Sequence, residues 1–372
     1  MIGKMLNGWG KKIADWVGEI TPAGILDAPE KGNAAQYFDH HFISHLLPYE
    51  SYDPETSLFF NKNSMGFTLE VMPLMGASEE VENILTSIIT DILPDNADVQ
   101  MLLIGSPKIG LAMDAFERAR AGNEMLAWLG KQRTDYLKKG AFDSNSISRQ
   151  SALMMRNFRL LISVSIPKSH DGVGVLIGLR DDIQSSLQSI NMQSTTLTAN
   201  GFISVVSDLI TPTYSIYPNQ TEWNEFDSLG LQLTDPEWRM HINNNSIEFS
   251  SEQNSVKVCC LTIREFPKKS TQWKVTENLG QLFNSTLQIP CPFVVVFNLR
   301  KMDTEKSKAN TQFNVMNRES TAKSPLAKFK PSVNKEYEEW EFIRSRLAEG
   351  DCLVKTFYEV ILFSEPSKMN NC

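Results

Sequence analysis

Phosphate chemistry is the first possibility to weigh in this chain, because Gly105 to Ala112 reads GSPKIGLA. The stretch follows an apolar run, opens a helical pattern and holds two glycines with four residues between them. A phosphate-binding loop uses that spacing to close its backbone N–H groups around the anion. It then needs Lys followed by Ser or Thr, and Leu111-Ala112 stand there instead. Without an ammonium on the phosphates and a hydroxyl on magnesium, nucleotide chemistry has no means of proceeding. The expectation is a strand-to-helix turn. The Gly-Lys pairs at Gly3-Lys4, Gly10-Lys11 and Gly130-Lys131 have no glycine five positions ahead. Asp171 to Leu179, DGVGVLIGL, has Gly172 and Gly174 in Gly-x-Gly form. Its next glycine, Gly178, falls one place too late for a dinucleotide fingerprint, and no strand of suitable length is expected to end there.

Metal and acid–base chemistry fare no better. His41 and His45 are four apart in YFDHHFISHLLP and could share a helical face. No Glu completes an H-E-x-x-H pattern and no further ligand suggests itself, so solvated or capping histidines are expected. His170-Asp171 and Glu338-Glu339 read as surface pairs, and no nucleophile–base pair or carboxylate pair stands at useful spacing. The five cysteines, Cys259, Cys260, Cys291, Cys352 and Cys372, form no C-x-x-C and fit a reducing compartment. The residues alone therefore predict no catalytic, cofactor-binding or metal-binding site on this chain.

The elements that would position any site are organised around Cys291 to Met302, CPFVVVFNLRKM. Its β-branched and aromatic run after two prolines reads as a central strand buried on both faces. Val99 to Ser106, VQMLLIGS, is its counterpart. Ser57 to Leu74 reads as a hairpin, followed by a helix from Ser78 to Ile92, the strand at Val99, a long helical stretch broken near Gly122, a strand at Phe158 to Ile166 and a helix near Val173 to Ile190. Ser246 to Phe266 is a second hairpin, followed by a helix at Thr271 to Asn284, the strand at Phe293, a long helical stretch and a strand at Leu353 to Phe363. The order hairpin, helix, strand, long helix, strand occurs twice. The fold class expected is α/β, with two related lobes. Domains are expected at 1–36 (arm and linker), 37–200 (first lobe), 201–245 (a connector rich in Pro and aromatics, with Pro212, Pro218, Pro236, Tyr214, Tyr217, Trp223, Phe226 and Trp238) and 246–372 (second lobe). Lys301 to Lys335 is the most polar segment, expected as a solvated insertion or a docking surface for an acidic partner.

Composition agrees with a globular protein: 372 residues, 41% hydrophobic and 22% charged. The net charge of −8 argues against nucleic-acid binding driven by phosphate attraction, so no direct nucleic-acid contact is expected. No apolar run reaches the ~18 residues a membrane span requires, and the N-terminus lacks the features of a secretory signal. In Met1 to Ile20, Ile2, Met5, Leu6, Trp9, Ile13, Trp16, Val17 and Ile20 recur at helical spacing, with Lys4, Lys11 and Lys12 mostly elsewhere on the wheel. Such an arm suits a membrane interface, and it equally suits packing on protein. Ile2, Met5, Trp9, Lys11, Lys12, Ile13, Trp16 and Val17 are the candidate membrane or partner contacts.

Leu47 to Pro107 carries a family resemblance in LPYESYDPE, in the turn ending at Gly66-Phe67, in E-V-x-P-L at Glu70 to Leu74, and in the Leu-Pro-x-x-A-x-x-Q approach to the strand at Val99. It continues to EVILF at Glu359 to Phe363. This pattern resembles the TraC family, the conjugative pilus-assembly ATPases of F-type type IV secretion systems and relatives of the VirB-class ATPases. The resemblance implies the N-terminal half of such a protein, with a RecA-like motor expected beyond the last strand. It implies that ATP and magnesium belong to that further half and that no cofactor sits on this chain. It also implies a cytoplasmic location peripheral to the inner membrane, a homo-oligomer, and contact with other type IV secretion components. A stand-alone α/β enzyme with an unrecognised small-molecule site is the alternative.

Overall fold

The computed structural model describes residues 43–364, apart from 75, 77, 144–153, 220, 253, 265–288 and 324–331. The arm, His40, His41 and the helix expected at Thr271 to Asn284 lie outside the described residues. The chain enters through a 3₁₀ turn, Ile43–Leu46, and strand β1 (Tyr49–Asp53). The first hairpin is β2 (Leu58–Asn61) and β3 (Ser64–Val71). Helix α1 (Glu79–Ser87) follows, with the Ser78 hydroxyl accepting from Val81 N and three glutamates in its first turn, where they complement the helix dipole. It continues as a π turn, Ile88–Ile92. Strand β4 (Asp98–Ser106) leads to helices α2 (Gly110–Arg118) and α3 (Glu124–Lys139), the latter capped by Asn123. Next come β5 (Asn157–Pro167), α4 (Gly172–Ser189), β6 (Ser194–Thr196) and α5 (Ala199–Ile210). A one-turn helix α6 (Leu229–Gln232) precedes β7 (Arg239–Ile242), β8 (Ile247–Ser250) and β9 (Ser255–Thr262). Strand β10 (Phe293–Lys301), helices α7 (Thr304–Ala322) and α8 (Ser332–Ala348) and strand β11 (Val354–Ser364) complete the described chain.

All the described strands join one sheet in the order β1-β2-β3-β5-β4-β10-β11-β9-β8-β7, with β6 added beside β3. Every pairing is antiparallel. The order reads alike from either edge. On each side of the centre, a returning strand (β5 or β11) inserts between a hairpin (β2–β3 or β8–β9) and a central strand (β4 or β10). The central strands pair with each other from Phe293↔Gly105 to Arg300↔Asp98, so the two sets of strands form one continuous sheet. Strand β10 is buried along most of its length, as its composition demands. Strand β4 is less so: Gln100 is exposed, and Met101, Leu102 and Leu103 are half-buried.

Alternation along the strands divides the core in two. One face carries Phe67, Leu69, Val99, Ile162, Val164 and Leu299 under α1, its π turn and α4. Helix α4 supplies Leu176, Leu179, Ile183 and Leu187, which recur at helical spacing and are buried. Gly172 opens that helix because a Cβ there would meet the Met65 sulfur at 2.6 Å. A long strand, β5, does end just ahead of it, contrary to expectation. The glycine serves close helix–strand packing, with His170 and Asp171 almost fully exposed beside it.

The other face carries Phe59, Ile104, Leu161, Val256, Val294, Val296 and Phe363 under α5, which contributes Phe202, Ile203 and Val205. The span 201–245 therefore differs from a simple connector. It begins inside one of the most apolar of the described helices and ends just past an edge strand, β7, with irregular stretches at 211–228 (apart from 220) and 233–238. The polar segment after Lys301 also differs from a solvated insertion, since Thr304–Ala322 is helical. Ser307, Thr311 and Val315, four apart, are its buried residues, and α7 packs on α8. The long helical stretch expected after Phe293 is thus present, with small polar side chains on its packed face.

Candidate functional site

The GSPKIGLA turn lies at the end of β4, and the irregular stretch after α5 packs on it. Lys108 Nζ donates to Thr213 Oγ1 at 2.8 Å and to Tyr217 O at 3.0 Å, and sits 3.4 Å from Asp208 Oδ1. Asp208 Oδ1 also accepts from Asn219 N at 3.0 Å. Gly110 N donates to Ile216 O at 2.8 Å, and a Cβ at Gly110 would lie 2.6 Å from the Tyr217 ring. Lys108 N donates to Ser106 Oγ at 3.1 Å. Two amides that a phosphate loop would aim at an anion are thus spent within the protein. The turn grips a neighbouring segment. Tyr217 OH and Lys138 Nζ both donate to Asp114 Oδ1, which ties the same segment to the α2–α3 hairpin.

Lys108 and Asp208 are both largely buried. Burial pulls the Lys108 ammonium below its ordinary range, and the Asp208 carboxylate opposes that shift. Burial likewise pushes the Asp208 carboxyl above the usual carboxylate range, against the opposing pull of Lys108. Each charge is tolerated in the interior because the other is there.

Beside this pair lies a cavity of about 430 Å³. Its floor is the centre of the sheet, with Ile104 of β4, Val294 of β10, Val256 of β9 and Phe363 of β11. Helix α5 forms another wall through Ser204, Val205, Asp208 and Leu209. Pro212, Thr213, Tyr214 and Pro218 close it from the irregular stretch. Gly105 and Phe293, cross-strand partners, also line it, and a Cβ at Gly105 would press to 2.7 Å on the Phe293 ring. Arg159 also lines the cavity, and its guanidinium makes a two-pronged pair with Glu70 (Nε–Oε1 2.6 Å, Nη2–Oε2 2.9 Å).

Sequence reasoning reached Lys108 only as part of a failed phosphate loop, and it passed over Asp208, Arg159 and Ser204. The available signal was Asp208 itself, a lone carboxylate within the apolar run FISVVSDLI. Among the described residues no three of His, Cys, Asp or Glu converge as a metal would need. His45 lies in the 3₁₀ turn, where its carbonyl accepts from Lys62 Nζ. The arm residues Ile2, Met5, Trp9, Lys11, Lys12, Ile13, Trp16 and Val17 lie outside the described residues. No described helix is long and apolar enough to cross a membrane.

A family model described as TraC protein matches residues 43–372. The chain belongs to the TraC protein family. Protein TraC of Escherichia coli strain K12 is 27% identical over 333 residues, covering 85% of this chain and 37% of that protein. This chain thus spans little more than a third of that relative's length. The TraC match takes in both central strands, the cavity and the Lys108 turn. It also gives LPYESYDPE a physical role. Tyr49 of this motif meets Phe202 edge-to-face (4.9 Å), and Tyr52 meets Phe59 at a tilt (4.7 Å) and Trp223 edge-to-face (5.5 Å), fastening the first strand to the cover of the sheet.

Proposed function

We propose that this TraC-family chain works in the assembly of a conjugative pilus by a type IV secretion system, as a non-catalytic unit that oligomerises and docks other components at the cytoplasmic face of the inner membrane. Family membership over residues 43–372 is the observation that carries this reading. The internal use of the Lys108 and Gly110 amides supports assigning nucleotide hydrolysis elsewhere than on these residues. Exposed Met125, Trp128 and Leu129 on α3, and Phe313, Met316 and Phe342 on α7 and α8, offer apolar surface on two helical hairpins of the kind used for protein contacts.

The test is to express the chain in donor cells that carry an F-type conjugation system. A unit that occupies docking positions of the resident protein lowers transfer at least tenfold, and affinity purification after cross-linking recovers pilus-assembly components. Unchanged transfer together with no recovered component overturns the proposal. The purified chain is expected to show no magnesium-dependent ATP hydrolysis. Turnover lost on Lys108→Ala or Gly105→Ala in a folded variant would assign catalysis to the turn and refute a non-catalytic role.

A further inference from the structure

The cavity at the centre of the sheet is not used by the reading above. Its walls carry charged groups, yet each is matched. Lys108 is met by Asp208, Thr213 and the Tyr217 carbonyl. Arg159 is met by both oxygens of Glu70. An ionic ligand would therefore enter with no free counter-charge, at the cost of burying a charge unpaired or breaking an existing pair. The rest of the lining is aliphatic floor and roof, the Tyr214 side chain, Pro212, Pro218 and Pro292, and three polar residues already in hydrogen bonds, Ser106, Asn157 and Thr213. Ser204, half-buried on α5, adds one hydroxyl to the wall. The volume of about 430 Å³ is within the range of small-molecule sites, which combine an apolar lining with a few fixed polar groups.

We infer that this cavity is a binding site for a small neutral ligand built on one or two flat apolar rings. The prolines and the Tyr214 ring receive the flat body, and the Ser204 hydroxyl meets one polar substituent. The site joins β4 and β5 of one half-sheet to β9, β10 and β11 of the other, so a bound ligand touches both halves at once.

The test titrates the full chain with N-phenyl-1-naphthylamine, a neutral two-ring fluorophore, and with its sulfonated analogue 1-anilinonaphthalene-8-sulfonate. Saturable binding of the neutral probe is expected, at least tenfold tighter than that of the anion. Ser204→Trp, which places an indole in the cavity, is expected to weaken the neutral probe at least tenfold while circular dichroism stays unchanged. If that variant does not fold, methyl NMR of the native chain decides the matter: perturbations must centre on Ile104, Val205, Leu209 and Val294. Absence of saturable binding, equal affinity for the anion, undiminished binding by a folded Ser204→Trp chain, or perturbations centred on Met125, Leu126 and Leu129 of α3 would each overturn the assignment.

Discussion

Asp208 and Lys108 set the electrostatics of the interior. Asp208 holds its proton more tightly in the folded chain than in the unfolded one, because burial outweighs the attraction of Lys108. Its ionised form therefore costs stability above its folded pKa, and that cost fades as pH falls toward the ordinary aspartate range. Asp53 and Asp114 act in the opposite sense. The Thr56 hydroxyl on Asp53 and the Lys138 ammonium on Asp114 depress those carboxyls. Their contribution is present above the unfolded value and is lost as pH falls through the folded one. Asp208→Asn is thus expected to lower stability at pH 7, by leaving Lys108 buried without a counter-charge, and to steepen the loss of stability on acidification. Urea unfolding of both chains between pH 7 and pH 4 checks this; an unchanged acid slope would contradict the assigned direction. The pair was half legible in the sequence. The missing Lys-Ser/Thr after Gly110 pointed to a strand-to-helix turn, which is what joins β4 to α2, but what the turn grips depends on a contact to Thr213 and Tyr217 more than a hundred positions away.

Among the elements, the π turn after α1 depends on a residue from the other half of the chain. Lys301 is 6% exposed, and its Nζ donates to Thr90 O at 2.6 Å and Leu93 O at 2.8 Å. These carbonyls lie at the helix C-terminus, where a cation is favoured and where backbone acceptors otherwise go unmet. Lys301→Met is expected to destabilise the chain by about 2–3 kcal/mol, through two carbonyls left without their donor. Denaturant unfolding measures it, and a loss below about 0.5 kcal/mol, the lower end for a net hydrogen bond, would mean that water replaces the ammonium. The strands were the most readable elements, because β-branched runs such as Phe293 to Phe297 state their own burial. The helical stretch after β10 was expected as well, and α7 and α8 occupy it, but the packed face of α7 was not legible, because Ser307, Thr311 and Val315 pack without an apolar stripe. The amphipathic arm makes a separate prediction. If its tryptophans and lysines meet a membrane surface, the full chain sediments with anionic liposomes in a salt-sensitive way, and a chain starting at Thr21 does not. Equal behaviour of the two chains assigns the arm to protein contacts.

For the whole molecule, the sheet order decides how the chain unfolds. The order of hairpins and buried strands was visible from their spacing. That the two sets merge through β4 and β10 was not, because an antiparallel seam between distant strands leaves no local mark. Side chains fasten the seam at its Arg300 end. Arg300 and Asp98 pair through two bonds of 2.6 and 2.7 Å, and Asp95 accepts from Thr304 N and Oγ1, each at 2.9 Å. One cooperative transition is therefore expected in urea, with tryptophan fluorescence and far-ultraviolet circular dichroism superimposed. Two resolved transitions would mean that residues 37–200 and 246–372 fold as separate units.

Strand β11 also has a mechanical consequence. It is held between β10, over register positions from Phe293↔Leu362 to Lys301↔Val354, and β9, from Glu359↔Thr262 to Ser364↔Lys257. Its last residue, Ser364, ends in the interior of the sheet beside Pro292, not at an edge. A pull applied to the polypeptide beyond Ser364, along the strand axis, acts across hydrogen bonds that run perpendicular to it. Those bonds are loaded in shear and share the force on both flanks, whereas a strand peeled from an edge would release them one after another. Tension arriving from that direction is therefore spread into both halves of the sheet, with β10 as the member that carries it across to β4.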